Sequence, residues 1–214
     1  MRRLLFLVVA IVSSASVAAA QPEYKKFEVF AGYSHNRADV GQSRTIVCFE
    51  GCDLVDEREG FHGFNTSVTG NINRYLGLKF DFAGHFKEKD FPFPGDPIGL
   101  NVKSRAFNFL GGVQLKDNGT DATFKPFAHV LAGGAHVRNE VDFRALCLPP
   151  PGGSASSCNF TESDTGFAAA LGGGIDIRAS NRVDIRVIQF DYNPTRVFDS
   201  TQHNFRIGIG VVFH

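Results

Sequence analysis

From Gln21 onward the chain alternates apolar and polar residues in segment after segment, most clearly in Leu76-Gly77-Leu78-Lys79-Phe80-Asp81-Phe82-Ala83. In an extended segment Leu76, Leu78, Phe80 and Phe82 fall on one face and Gly77, Lys79, Asp81 and Ala83 on the other, the period-two signature of a strand. A water-soluble barrel turns its bulky apolar face inward, so a strand with phenylalanines on one side and charges plus glycine on the other suits it badly. The pattern predicts a barrel whose outer surface meets lipid.

The N-terminus is consistent with such a destination. Arg2 and Arg3 precede the apolar run Leu4 to Val12, and a small-residue stretch ends in Ala18-Ala19-Ala20. This is the pattern of a secretory signal cleaved before Gln21, and the nine apolar residues fall short of the roughly 20 that a membrane-spanning helix needs. Residues 1–20 are therefore read as a signal peptide and 21–214 as one barrel domain. After cleavage, 194 residues remain with 20 basic against 22 acidic groups, a formal charge of −2. No basic field argues for nucleic acid. No later apolar run reaches helical spanning length, so membrane insertion has to use strands, whose backbone groups pair only when the barrel closes.

Eight strands are expected, at about Phe27–Arg37, Gly63–Asn73, Tyr75–Phe86, Val102–Leu115, Lys125–Val137, Thr165–Arg178, Arg182–Asn193 and His203–Phe213. Short connections at Asn73-Arg74, Lys116–Phe124 and Ala179-Ser180-Asn181 alternate with longer ones at about 38–62, 87–101, 138–164 and 194–202. That alternation matches barrels with short periplasmic turns and long external loops. The fold class is all-β: an eight-stranded antiparallel up-and-down transmembrane barrel.

The architecture resembles the small eight-stranded outer-membrane barrels typified by the barrel domain of outer-membrane protein A and its adhesin-like relatives. The resemblance covers residues 24–213 and rests also on the Gly-rich strands Phe30-Ala31-Gly32-Tyr33, Leu131-Ala132-Gly133-Gly134 and Leu171-Gly172-Gly173-Gly174. The last strand carries Phe205, Ile207, Ile209, Val211 and Phe213 on one face and looks like the C-terminal signal that this family presents to the barrel assembly machinery. His214 after Phe213 departs from the family's aromatic terminus. No wall-anchoring domain is expected after the barrel. The resemblance implies a bacterial outer-membrane location, with outer-membrane lipid and lipopolysaccharide as surroundings.

Parity places Val29, Ala31, Tyr33, Phe64, Val68, Ile72, Phe107, Phe109, Val113, Phe167, Leu171, Ile175 and Ile177 outward with the Leu76–Phe82 face. Asn65, Ser67, Thr69 and Asn71 go inward, with a charged set of Glu28, Lys79, Asp81, Asp176, Arg178, Asp184, Arg186 and Arg206. Strand five is ambiguous, because both of its faces are small and apolar. Eight strands enclose only enough space for side chains, so the inward charges read first as a salt-bridged plug, with an ion path or proton relay as the alternative. In strand seven Asp184 and Arg186 have one parity and Gln189, Asp191 and Asn193 the other. Either a β-bulge near Val187-Ile188 returns the second set to the lumen, or the strand leaves the membrane by Ile188.

Cys48 and Cys52 lie in the first long loop and Cys147 and Cys158 in the third. For an exported chain, Cys48–Cys52 and Cys147–Cys158 are the economical disulfides among three connectivities; a metal site of Cys48, Cys52 and His62 lacks a convincing fourth ligand. His35, His85, His129 and His136 are conceivable bases, but none sits in a nucleophile–base–acid pattern, so no catalytic, metal or cofactor site is expected. The loops are then the working surface, with an unidentified surface ligand. A lipid-modifying enzyme, a small channel and a lipocalin-like binder are the alternatives; the last needs a large apolar lining that these inward positions lack.

Overall fold

The computed structural model describes residues 24–39, 58–92, 99–143 and 158–214. Residues 1–20, the loop stretches 40–57, 93–98 and 144–157, and with them Cys48, Cys52 and Cys147, lie outside the described residues; Cys158 begins a strand.

Eight antiparallel strands form one closed barrel in sequence order: β1 (Phe27–Asp39), β2 (Arg58–Asn71), β3 (Leu76–Pro92), β4 (Gly99–Lys116), β5 (Phe124–Phe143), β6 (Cys158–Arg178), β7 (Val183–Val197) and β8 (Ser200–Phe213). Closure is made by β1 against β8, from Val29 opposite Phe213 to Arg37 opposite Phe205. All eight expected strands are present, but several run further toward the loop end than 11 to 14 residues. β3 to β6 have 17, 18, 20 and 21 residues against 13 to 15 for the other four. Hydrocarbon needs only about 9–11 residues of a tilted strand, so this half of the wall extends past the membrane.

At the short-turn end, Asn73 Oδ1 accepts from the amides of Tyr75 and Leu76 at 2.8 and 2.9 Å, an Asx turn. Arg74 and Asp117 tie two adjacent turns together at 2.6 Å. One connection departs from expectation. The stretch 194–202 is not a long loop: β7 and β8 continue through it and join at Phe198-Asp199, both with positive φ (51° and 55°). That is the backbone of a tight hairpin turn, which ordinarily takes Asn-Gly or Asp-Gly. Pro194 and the polar residues around it looked like a loop, yet Thr195 and Val197 face the lumen and are buried.

The outward face is apolar as expected, with Phe80 71% and Phe109 58% exposed. Phe64, Phe82 and Phe109 form a cross-strand aromatic row with centroids 5.5 and 4.9 Å apart. Such residues have no core to enter and are stable there only against lipid. The expected bulge in β7 is present: Arg186 pairs with Gly210 and Gln189 with Gly208, so Val187 and Ile188 together oppose Ile209. Both point outward, while Asp184, Arg186, Gln189 and Asp191 are all buried.

Candidate functional site in the barrel lumen

The lumen toward the short-turn end is filled by five acids, Glu28, Asp81, Asp176, Asp184 and Asp191, and five bases, Lys79, Lys116, Lys125, Arg186 and Arg206, all buried. Lys116 Nζ lies 2.7 Å from Glu28 and 2.8 Å from Asp176. Arg186 donates through Nε and Nη2 to the two oxygens of Asp176 at 2.8 and 3.0 Å, a bidentate geometry. Its guanidinium is also held between the rings of Phe30 and Phe127, 4.2 and 4.1 Å from their centroids. Arg186 donates on to Gln189, and Gln189 to Asp191, at 2.8 and 2.7 Å. Arg206 then bridges Asp191 on β7 and Asp81 on β3 at 2.7 and 2.8 Å, and Asn65 donates to Asp81.

A branch leaves Asp191 toward β5. His129 Nε2 is 2.8 Å from Asp191 Oδ1, and Lys79 Nζ is 3.2 Å from His129 Nδ1. If Nε2–H donates to the carboxylate, Nδ1 is free to accept from the ammonium, so a neutral ring links cation and anion. Room for this arrangement comes from Gly172, where a Cβ would stand 2.1 Å from Asp191 Oδ1 and 2.3 Å from the Phe190 carbonyl. Nearer the turns, Asp184 Oδ2 accepts from Lys125 and His214, each at 2.8 Å.

Toward the loops the lining changes. Leu110, Leu131, Ala135, Ala168, Ala170 and Val197 form a buried apolar cluster, and Ser34 bonds His85 Nε2 at 2.9 Å on the far wall.

Seven of the eight charged residues expected inward belong to these clusters. Arg178 does not: it is half-buried at the short-turn rim, where Nη1 donates to the Thr120 carbonyl. As the last residue of β6, it can turn out of the lumen and meet the turn after β4. Lys116, Lys125 and His129 are partners that were not among the residues expected inward, whereas Gln189 and Asp191 enter through the expected bulge. The sequence assigns Lys116 to the connection after strand four, and the fifth strand, which holds Lys125 and His129, gives no clear inside. The missed signal was the alternation of Lys125, Phe127 and His129 with Pro126 and Ala128. Among the described residues, the ring of His35 lies tilted beside that of His62, His136 bonds Thr165, His85 bonds Ser34, and His129 bonds Asp191. Among the described residues no group of His, Cys, Asp and Glu has the arrangement of a metal site.

Comparison with known proteins agrees with the fold. The attachment invasion locus protein Ail of Yersinia pestis superimposes with a TM-score of 0.53 at 16% identity, covering 87% of this chain and 97% of that one. Neisserial surface protein A gives 0.51 at 15%, covering 89% and 98%. Ail has also been solved in complex with the heparin analogue sucrose octasulfate. No curated protein matches the chain. A family model described as the outer membrane protein beta-barrel domain matches residues 4–213. The chain belongs to this family and is a protein of the bacterial outer membrane.

Proposed function

We propose that the protein is a closed-lumen barrel that works at its loop-bearing end, as an envelope structural protein or a surface adhesion and recognition scaffold. The observation that carries this reading is the ion-paired cross-section of Asp176–Arg186 and Asp81–Arg206–Asp191, whose side chains leave no more than a few per cent of their surface accessible. A lumen so filled is a poor path for solutes, which moves the working surface to the exterior. The longer β3 to β6 wall supports it by projecting a platform beyond the hydrocarbon.

In this reading residues 1–20 are removed on export. Phe205, Ile207, Ile209, Val211 and Phe213 address the barrel assembly machinery, and the disulfides Cys48–Cys52 and Cys147–Cys158 restrict two external loops. No chemical step and no cofactor is part of the function; lipopolysaccharide is the surrounding lipid, and the loops meet a surface ligand. The test is reconstitution of the full chain in planar bilayers. Silence or only very small current is expected, and a large, stable, ohmic conductance overturns the plugged lumen.

A further inference from the structure

The short-turn end carries a cavity beside the lumen network. It lies between the β6–β7 turn, the β4–β5 connection and the segment that precedes β1, has a volume of about 250 Å³, and is lined by Lys25, Thr120, Lys125, Arg178, Ser180 and Asn181. That is below the roughly 300–1,000 Å³ of sites for drug-sized ligands, so its size suits a small solute. Short turns of an outer-membrane barrel face the periplasm, and the cavity faces it with them.

Its walls are held by backbone hydrogen bonds. The Lys25 amide donates to the Asn118 carbonyl at 3.3 Å, and the Lys25 carbonyl accepts from Asn71 Nδ2 at 2.7 Å. Tyr24 pairs with Gly119 and donates its hydroxyl to the Ile72 carbonyl at 3.1 Å. Gly119 follows β4, so this segment runs from β1 across the end of the barrel. Arg178 ends β6, and its amide donates to the Thr123 carbonyl at 2.9 Å.

The lining is rich in donors. Lys25 Nζ donates to the Asn181 carbonyl at 2.7 Å, and Arg178 Nη1 to the Thr120 carbonyl. A carbonyl takes up one N–H and no formal charge, so most of the ammonium and guanidinium donors stay available. Ser180 Oγ accepts from the Arg182 amide at 3.3 Å, which leaves its O–H to donate. The neighbouring acids are engaged elsewhere, Asp117 and Asp121 with Arg74, and Asp184 with Lys125 and His214. Lys125 is thus balanced by Asp184, whereas Lys25 and Arg178 rest on backbone oxygens. The matching ligand is a compact acceptor with two negative charges. A phosphate monoester carries a charge of about −1.5 to −2 at neutral pH on strong acceptor oxygens, and both Arg and Lys are residues that recognise it. A lone carboxylate brings only half of that charge.

We infer that the cavity formed by Lys25, Thr120, Arg178 and Ser180 binds a water-borne phosphate monoester from the periplasmic side. The experiment is isothermal titration calorimetry on the folded full chain in a neutral detergent at neutral pH. The probes are glycerol 3-phosphate, succinate, acetate, and dihexanoyl phosphatidic acid, which carries the same phosphate on short acyl chains. Glycerol 3-phosphate is expected to bind at least about tenfold more tightly than succinate or acetate and no more weakly than the phosphatidic acid, and K25Q/R178Q to lose at least about tenfold. K26Q/R182Q removes two exposed cations from the same end and is expected to bind as wild type does. So is E23Q, which removes the acid two positions before Lys25 in the sequence. A heat-modifiability gel establishes that each variant is folded. No binding of glycerol 3-phosphate by the wild-type chain, or equal affinity for succinate, overturns the inference whatever the variants do. Equal losses in both double variants overturn it in favour of the diffuse field of the rim, and a tenfold gain in E23Q overturns it by making Glu23 the occupant. Tighter binding of the phosphatidic acid than of glycerol 3-phosphate overturns the assignment to a water-borne ligand.

Discussion

The two ends of the lumen are built by different physics. Toward the turns, Arg206 satisfies Asp81 and Asp191 from strands on opposite sides of the barrel. Toward the loops, Leu131 and Leu110 pack against Ala135, Ala168, Ala170 and Val197. Removing an apolar group leaves a void whose cost is bounded by lost contacts. Removing one member of a buried ion network strands its partners as uncompensated charges. The contrast predicts that the charged end is the more brittle, although an ion network is not inherently more stabilising than an apolar filling.

Arg206→Ala tests that most directly, since it leaves two buried carboxylates facing each other. Unfolding of the barrel in phospholipid vesicles by urea should show a loss of about 3–5 kcal/mol. Leu131→Ala, at the apolar end, falls in a class that costs about 2–5 kcal/mol and should cost less than Arg206→Ala in the same assay. If Leu131→Ala proves the more damaging of the two, the ranking of the ends is reversed and the apolar cluster carries the barrel.

The bulge sharpens the comparison because it decides which residues enter the charged end. Deleting Val187 alone makes Ile188 the outward residue between Arg186 and Gln189, so Asp191 keeps its place and the barrel should fold with a smaller loss than Leu131→Ala. Deleting Val187 and Ile188 together reverses the parity of everything that follows in β7, turns Asp191 to lipid and should prevent insertion. Heat-modifiability of the two deletions separates these outcomes, and similar behaviour would mean that the bulge does not set parity.

The smallest effect belongs to a charge pair outside the membrane. Arg74 beside Asp117 holds that carboxyl below its ordinary range, chiefly through their hydrogen bond. A carboxylate with a depressed folded pKa contributes stability above its unfolded value, about 3.9, and that contribution is lost as pH falls through the folded value. Arg74→Ala should therefore lower the urea midpoint slightly at neutral pH, and the difference from wild type should close in acid. A gap that persists at low pH would assign the effect to packing on Tyr75.

Period-two alternation with phenylalanine on one face and charge on the other was enough to determine the strand count, the lipid-facing surface and most inward charges, because lipid exposure leaves parity little freedom. The opposed parities of Asp184 and Asp191 even located the bulge, since a carboxylate facing hydrocarbon is costly. Closure decided the rest. Which acid meets which base depends on strands distant in sequence, as when Arg206 reaches Asp81, 125 positions away. The inward face of β5 showed in the sequence only at its start, where Lys125, Phe127 and His129 alternate with Pro126 and Ala128, and the register with its neighbours brings Lys125 and His129 to their partners. Phe198 has no preference for the positive φ it takes in the Phe198-Asp199 turn, and the pairing of β7 with β8 imposes it. Local pattern reports which side a residue faces, whereas partner identity is a property of the closed sheet.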